Sequence, residues 1–145
     1  MLPKYLQCGD YSIPLDRPLI MGIVNVTPDS FSDGGNFLSP SKAVEHAQKL
    51  ILEGADMLDI GGVSTRPGAP DISASEEITR LLPVLQSLRD CDVPISVDTK
   101  KPEVMQMAIE NGASMINDIH ALQSPEALKL IATHNVAVCL MHGGK

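Results

Sequence analysis

The chain has 145 residues, of which 43% are hydrophobic and 20% charged, a composition typical of one folded domain and not of a disordered segment. Its formal net charge of -7 argues against binding to nucleic acid, because a phosphate-binding surface needs clustered lysine and arginine that this sequence does not have. No apolar run approaches the roughly 20 residues of a membrane span, and the N-terminus lacks the pattern of a signal peptide, so we expect a cytoplasmic protein without a membrane partner.

Residues 1–16 precede the first strongly apolar run and predict a short hairpin that closes one end of the domain. Five apolar runs follow, and each carries a polar residue at or near its C-terminal end. They lack the alternation of half-exposed strands, which indicates strands covered on both faces, as in a parallel sheet. The five predicted strands are Leu19–Val26, Met57–Ile60, Pro94–Asp98, Met115–Ile119 and Ala137–His142.

Four amphipathic helices are predicted between these strands, because apolar residues recur there with the spacing of one buried helical face. Proline follows a polar residue at three of the predicted helix starts, and Ser73 with Glu76 has the spacing of a capping box. Gly54 and Gly112 are suited to end two of the helices. The apolar faces comprise Ala43, Val44, Ala47, Leu50 and Ile51; Ile78, Leu81, Leu82, Leu85 and Leu88; Val104, Ala108 and Ile109; and Leu128, Ile131 and Ala132.

The alternation of strands and helices predicts an α/β fold with a parallel sheet. A doubly wound sheet and a (β/α)8 barrel both fit this order, and the absence of a GxGxxG motif counts against a dinucleotide-binding fold. Polar residues at the ends of successive strands favour a TIM-type (β/α)8 barrel. Because a complete barrel takes about 250 residues, we expect residues 1–145 to form its N-terminal half, with about five strands and four helices.

Two connections are longer than is usual in a compact domain, where about 12 residues or more indicate a functional or disordered segment. The first, Thr27–Leu38, is rich in Ser, Asp and Gly, and it can offer backbone N–H groups and carboxylates to a magnesium-bound anion. The second, Gly61–Ile72, contains Ser64-Thr65-Arg66, whose hydroxyls and guanidinium suit a phosphate group. Ordinary solvated connections are the alternative interpretation.

Polar residues end three consecutive predicted strands: Asp59, Asp98 and Asn117. In a parallel barrel these ends converge on one rim, where carboxyl and amide groups favour a neutral heterocycle rich in N–H donors. Taken singly, each has a structural explanation: Asp98 before Thr99 as a helix cap, and Asp59 as the partner of Arg66. Together they favour a ligand pocket. No serine or cysteine has the setting of an activated nucleophile.

Five segments, in order along nearly the whole chain, resemble the signature motifs of the dihydropteroate synthase family. The resemblance implies a (β/α)8 barrel that joins 4-aminobenzoate to a dihydropterin hydroxymethyl pyrophosphate. It further implies that pyrophosphate is released with the help of Mg²⁺, in folate synthesis. The five segments are Met21–Gly35, Asp59–Gly68, Ser96–Val104, Ile116–Ile119 and Val138–His142.

The resemblance also implies which residues bind the anionic groups. Asn25 would bind the pyrophosphate and coordinate Mg²⁺, the expected cofactor, and Asp33 in the first long connection would assist. Thr65 and Arg66 would border the aminobenzoate and the pyrophosphate. Catalysis would then consist of positioning and charge stabilisation, without a protein nucleophile.

For the pterin, the resemblance implies that Asp98 and Asn117 bind the ring edge, with Asp59 as a further pocket residue. Val63 departs from the family pattern, which usually has glutamate there, so a salt bridge that orders the second connection is expected to be lost. The family's remaining anion-binding and pterin-binding motifs follow the last matched segment. We therefore expect residues 1–145 alone to have little or no synthase activity.

Two other functions are alternatives. In the first alternative, the chain is a non-catalytic pterin-binding or assembly fragment, whose activity depends on self-association, for example as a homodimer, or on a complementary half. In the second, it is another pterin-binding barrel, such as a methyltetrahydrofolate methyltransferase, which the long first connection disfavours. Each of these functions has small-molecule ligands.

Overall fold

A hairpin and a five-stranded sheet with four helices make up the fold in the computed structural model, which describes residues 4–26, 38–63, 71–118 and 124–140. All five predicted strands and all four predicted helices are present. None of the described helices is long and apolar enough to cross a membrane. In chain order the elements are β1 (Tyr5–Cys8), β2 (Tyr11–Pro14), β3 (Met21–Asn25), α1 (Pro40–Leu52), β4 (Met57–Gly61), α2 (Ala74–Ser87), β5 (Ile95–Asp98), α3 (Pro102–Glu110), β6 (Met115–Asp118), α4 (Pro125–Ala132) and β7 (Ala137–Leu140).

Strands β3 to β7 pair in chain order, and every pair is parallel. A doubly wound sheet reverses its strand order at a switch point. No reversal occurs among the described strands, so each strand lies beside the next, as in a (β/α)8 barrel. The strand order therefore confirms the barrel, which the polar strand ends favoured over a doubly wound sheet.

The strand register separates the two faces of the sheet. Val24, Ile60, Val97 and Ile116 are neighbours in one row, and none of them is exposed to solvent. They share a core cluster with apolar residues of all four helices. Because successive residues of a strand point to opposite faces, the residue that follows each of them lies on the inner face. These following residues are Asn25, Gly61, Asp98 and Asn117.

The hairpin of β1 and β2 covers the N-terminal ends of the sheet strands. Cys8 packs with Met57 and Met115, which begin β4 and β6. The hydroxyl of Tyr11 donates a hydrogen bond to the carbonyl oxygen of Cys91 at 3.1 Å, just beyond α2. The hairpin predicted at the bottom of the barrel is confirmed. It lies at the N-terminal ends of the strands, opposite the C-terminal ends that carry the polar residues.

Most helix ends agree with the signals in the sequence. The hydroxyl of Ser73 accepts a hydrogen bond from the backbone N–H of Glu76 at 3.1 Å, at the start of α2. Gly112 follows α3 with a φ of 103°, which favours glycine. The N-cap position of α3 is occupied by Lys101 and not by Asp98, so the capping explanation for Asp98 was wrong. The carboxyl of Asp98 is left on the inner face of the sheet.

Candidate active site

Three polar residues share one row of the inner face at the C-terminal ends of their strands. Asp98 and Asn117 are register neighbours on β5 and β6, which places their Cα atoms about 4.8 Å apart. Asn25 lies in the same row on β3, two strand spacings from Asp98, or about 10 Å. All three are partly exposed. The structure thus brings these predicted site residues to one rim, and their substrate roles stay predictions.

Gly61 occupies the position between Asn25 and Asp98 in this row. A Cβ atom added there would lie 3.4 Å from Cβ of Asp98 and 3.7 Å from its Oδ2. Any longer side chain at this position would extend across the inner face beside the Asp98 carboxyl. The row therefore contains a gap in which a ligand can approach the backbone.

Asp59 lies two residues before Gly61 on β4, and hence in the next row of the inner face below the rim. Its register neighbours are Ile23 on β3 and Ser96 on β5. Its residue is 5% exposed, and its Oδ2 accepts a hydrogen bond from Nδ2 of Asn117 at 3.1 Å. Burial raises the pKa of the Asp59 carboxyl, and the nearby hydroxyl of Ser96 and the hydrogen bond from Asn117 oppose the rise. Asp59 thus contacts a rim residue, while its alternative partner, Arg66, lies outside the described residues.

The carboxyl of Asp98 is a much weaker acid than an exposed aspartic acid. Burial raises its pKa to about 7, and the nearby carboxylates of Asp59, Glu77 and Asp118 add to the rise. No described residue donates a hydrogen bond to Asp98 or forms an ion pair with it. Near neutral pH both protonation states are therefore populated. The acid form can donate a hydrogen bond to a ring nitrogen, and the carboxylate can accept one from a ring N–H.

Asn25 provides an oxygen atom at the end of the row. Its backbone carbonyl accepts a hydrogen bond from the N–H of Leu38 at 2.8 Å, which ties the end of β3 to the approach to α1. Its side-chain amide has no hydrogen-bond partner among the described residues. Mg²⁺ keeps several waters and takes one or two protein oxygens with substrate phosphates, so one amide oxygen fits such an ion. Within the described ranges, no group of three His, Cys, Asp or Glu residues forms a metal cluster.

The other predicted site residues, Asp33, Thr65 and Arg66, lie outside the described residues. Val63 is the last described residue before residues 64–70, which include Thr65 and Arg66, and it is half-buried. The effect of valine at this position on a salt bridge of the connection stays a prediction.

An ion-pair network that the sequence analysis missed lies behind the rim, on the helix side of the sheet. Nζ of Lys101 donates hydrogen bonds to Oε1 of Glu77 at 2.8 Å and to Oδ1 of Asp71 at 2.9 Å. The sequence did contain a signal for Glu77, because it lies four residues before Leu81 and hence on the buried face of α2. A charged residue on a buried helical face requires a partner.

A second contact of α2 holds the chain where β4 ends. A guanidinium N–H of Arg80 donates to the carbonyl oxygen of Gly62 at 2.7 Å. Gly62 lies shortly before residues 64–70 and Asp71 directly after them, and this segment contains the predicted anion-binding residues Thr65 and Arg66. Helix α2 and the start of α3 therefore fix the two points from which that segment extends.

The amino-acid sequence matches one family model, described as pterin binding enzyme, over residues 21–145. The chain belongs to the pterin-binding enzyme family. Among its curated relatives, the dihydropteroate synthase of Escherichia coli K12 is 50% identical over 132 residues, which are 90% of this chain and 47% of the relative. The chain spans about half the length of the curated relatives it matches.

Solved structures of pterin-binding enzymes share this fold. Dihydropteroate synthase of Xanthomonas albilineans with 4-aminobenzoic acid aligns with a TM-score of 0.88 and 52% identity, over 97% of this chain and 52% of that one. The Burkholderia cenocepacia enzyme complexed with 7,8-dihydropteroate aligns with a TM-score of 0.86 and 43% identity, over 100% of this chain and 48% of that one. The five-stranded parallel sheet therefore has the fold of part of the TIM-type barrel of these enzymes.

Proposed function

We propose that this chain supplies the N-terminal half of a dihydropteroate synthase, which condenses 4-aminobenzoate with a dihydropterin hydroxymethyl pyrophosphate and releases pyrophosphate. The observation that carries the proposal is the row of Asn25, Asp98 and Asn117 on the inner face of the sheet. Solved relatives that bind 4-aminobenzoic acid and 7,8-dihydropteroate support it. A cytoplasmic location and a homodimer stay predictions.

Asp98 and Asn117 would bind the pterin edge. They are adjacent in the row and partly exposed, and neither the Asp98 carboxyl nor Oδ1 of Asn117 has a hydrogen-bond partner among the described residues. A carboxyl and a carboxamide on neighbouring strands, with Cα atoms about 4.8 Å apart, can form parallel hydrogen bonds with the amino and N–H groups of a flat heterocycle. The gap at Gly61 leaves room for the ring's substituent to extend towards Asn25.

Asn25 would hold the pyrophosphate end of the substrate and offer its amide oxygen to Mg²⁺, which would supply positive charge to the anion when bound. Asp33, Thr65 and Arg66 would complete the anion site, as the resemblance to the family implies. The C–O bond to pyrophosphate breaks with its electron pair, leaving a cation at the exocyclic methylene that the pterin stabilises. The amine of 4-aminobenzoate then attacks this carbon and loses a proton. The protein's contribution is orientation and charge stabilisation.

The alternative is a non-catalytic pterin-binding or assembly fragment, which the coverage of about half of the curated relatives also fits. In the part of the chain that the structure describes, the rim is formed by the ends of five parallel strands, whereas barrel active sites draw on the ends of strands around the whole barrel. A fragment can bind part of the substrate without holding both substrates for reaction.

Dihydropteroate formation tests these two functions. The chain is assayed with both substrates and Mg²⁺, alone and after addition of the separately purified C-terminal half of the Escherichia coli relative. We expect turnover only in the mixture. Turnover by the chain alone would contradict the incomplete site. Pterin binding without turnover in either sample would favour the alternative. The absence of both pterin binding and turnover would refute the proposal.

A further inference from the structure

Asp59 is placed to act on the neighbouring rim residue and not directly on a ligand. It lies one row below the rim, is 5% exposed, and is hydrogen-bonded through Oδ2 to Nδ2 of Asn117 at 3.1 Å. Its other oxygen, Oδ1, is buried and forms no well-aligned hydrogen bond among the described residues, although the hydroxyl of Ser96 lies close enough to the carboxyl to oppose part of the rise in its pKa. Burying an unpartnered carboxylate oxygen destabilises a fold. Among the described residues, the amide of Asn117 is thus the group that forms a well-aligned hydrogen bond with this buried carboxyl.

The hydrogen bond gives the Asn117 amide a defined orientation. A carboxamide has one end that donates and one that accepts, and an ionised carboxylate can only accept. While Asp59 is ionised, it can therefore hold only the Nδ2 end of Asn117. The Oδ1 end of the same planar group is then directed away from Asp59, towards the rim. Without an acceptor at the position of Asp59, the Asn117 amide could flip by about 180° and present its Nδ2 donor to the rim instead of Oδ1.

We propose that Asp59 is a positioning residue that holds Asn117 with Oδ1 towards the rim, so that the site presents an acceptor to the N–H groups of a pterin edge. The pterin part of this inference rests on the proposed function above. It assigns Asp59 a role in specificity, because a ligand with an acceptor at that edge would face the oxygen of Asn117 and be rejected. Asp59 itself touches no ligand in this arrangement.

The first test needs no ligand and uses the side-chain NH₂ resonances of Asn117 in the free chain. Because an N–H held by Asp59 exchanges slowly with water, we expect Asp59→Leu to speed this exchange at least about tenfold. Leucine has a similar size and removes a buried carboxyl group, so the variant should melt at the same temperature as the unaltered chain or higher. Asp59→Asn keeps an oxygen acceptor and should give an intermediate rate. It also serves as the second variant if Asp59→Leu does not fold.

Ser96→Ala is the matched control, because Ser96 is the register neighbour of Asp59, is fully buried and has its hydroxyl near the Asp59 carboxyl, but has no hydrogen bond to Asn117. It should leave the exchange of the Asn117 amide unchanged. Unchanged exchange in Asp59→Leu, or equal acceleration in Ser96→Ala, would overturn the proposal.

The second test is calorimetric titration with 6-hydroxymethylpterin. We expect Asp59→Leu to weaken binding about tenfold, the equivalent of about 1.4 kcal/mol, while Ser96→Ala keeps the affinity of the unaltered chain. Titration with 4-aminobenzoate should give the same result for all three proteins. Unaltered pterin affinity in Asp59→Leu would overturn the specificity role. If the unaltered chain binds no pterin, the proposed function fails, while the exchange measurement still decides whether Asp59 orients Asn117.

Discussion

Lys101 neutralises the buried carboxylate of Glu77 across the space between α3 and α2, with 2.8 Å between Nζ and Oε1. The side chain of Glu77 is 1% exposed and that of Lys101 is 15% exposed. The pair is thus largely withdrawn from water, where each charge depends on the other. Because Lys101 also binds Asp71, one ammonium group joins α2, the start of α3 and the end of the segment that precedes α2.

Replacing Lys101 with methionine should lower the free energy of unfolding by about 3 kcal/mol, because it leaves the Glu77 carboxylate buried without its counter-ion. Urea unfolding followed by circular dichroism measures the change. The double variant Lys101→Met with Glu77→Leu should recover most of the loss, since it removes both charges and fills the space with apolar groups.

Lys100→Met is the control for this prediction. Among the described residues, the one ion pair of Lys100 is with Asp71 at 3.4 Å, and its side chain is 44% exposed. Its removal should cost less than about 0.5 kcal/mol, as for other exposed ion pairs. Equal losses at the two positions would contradict the buried ion pair.

The hairpin should contribute to stability through the hydroxyl of Tyr11. Tyr11→Phe removes only the hydrogen bond to the carbonyl of Cys91 and should lower the free energy of unfolding by about 1 kcal/mol. Tyr5→Phe is the control, because Tyr5 is 53% exposed and forms no side-chain hydrogen bond among the described residues. Thermal unfolding of the two variants side by side checks the prediction, and equal melting temperatures would refute it.

The elements of the fold were predictable because each depends on local patterns. Continuous apolar runs predict strands covered on both faces, and signals such as Ser73 with Glu76 mark where helices begin. Periodicity predicts elements but not their neighbours, so it left the doubly wound sheet and the barrel equally open. The polar ends of successive strands favoured the barrel, and the pairing of each strand with the next in the chain confirms it.

The candidate site was predictable where a residue's role follows from its place on a strand. Asp98 and Asn117 end consecutive strands, and a parallel register brings such residues together. The bond between Asp59 and Asn117 was not predictable, because it joins residues 58 apart and depends on which row each one occupies. The ion pair of Glu77 was missed for the same reason, since its partner lies on another helix.

Asp56 should make the chain more sensitive to acid. Its Oδ2 accepts hydrogen bonds from Arg17 at 3.1 Å and from the backbone N–H of Ile20 at 2.8 Å, which joins the residues before β3 to the start of β4. The hydrogen bond from Arg17 and then that from Ile20 lower the pKa of Asp56 to about 2. A lowered pKa contributes stability that is present above about 3.9, the unfolded value, and is lost as the pH falls through about 2.

Asp56→Asn should therefore reduce the loss of stability between about pH 4 and pH 2. Asp16→Asn is the control, because Asp16 is next to Arg17 in the sequence but no hydrogen bond between them occurs in the described part of the chain. Urea midpoints at a series of pH values measure both. A steeper acid dependence in Asp56→Asn than in the unaltered chain would contradict the assignment.

Asp98 should have the opposite effect and make the chain less stable at neutral pH than in mild acid. Its pKa is about 7 in the folded chain, raised chiefly by burial, and about 3.9 when unfolded. Between these values the unfolded state releases a proton that the folded state keeps. The contribution of Asp98 to stability is therefore complete below about pH 4, falls as the pH rises to about 7, and is level above that.

Asp98→Asn should remove this fall, so the difference in the free energy of unfolding between variant and unaltered chain should grow from about pH 4 to about pH 7. Asp90→Asn, at an exposed position beyond α2, should leave the pH dependence as it was. The carboxyl carbon resonance of Asp98 gives a direct measurement, with a titration midpoint near 7 expected. Asp59→Asn should lower that midpoint, because it removes the carboxylate that adds most to the effect of burial. A midpoint below about 5 in the unaltered chain would show instead that Asp98 is an ordinary, fully ionised carboxylate at neutral pH.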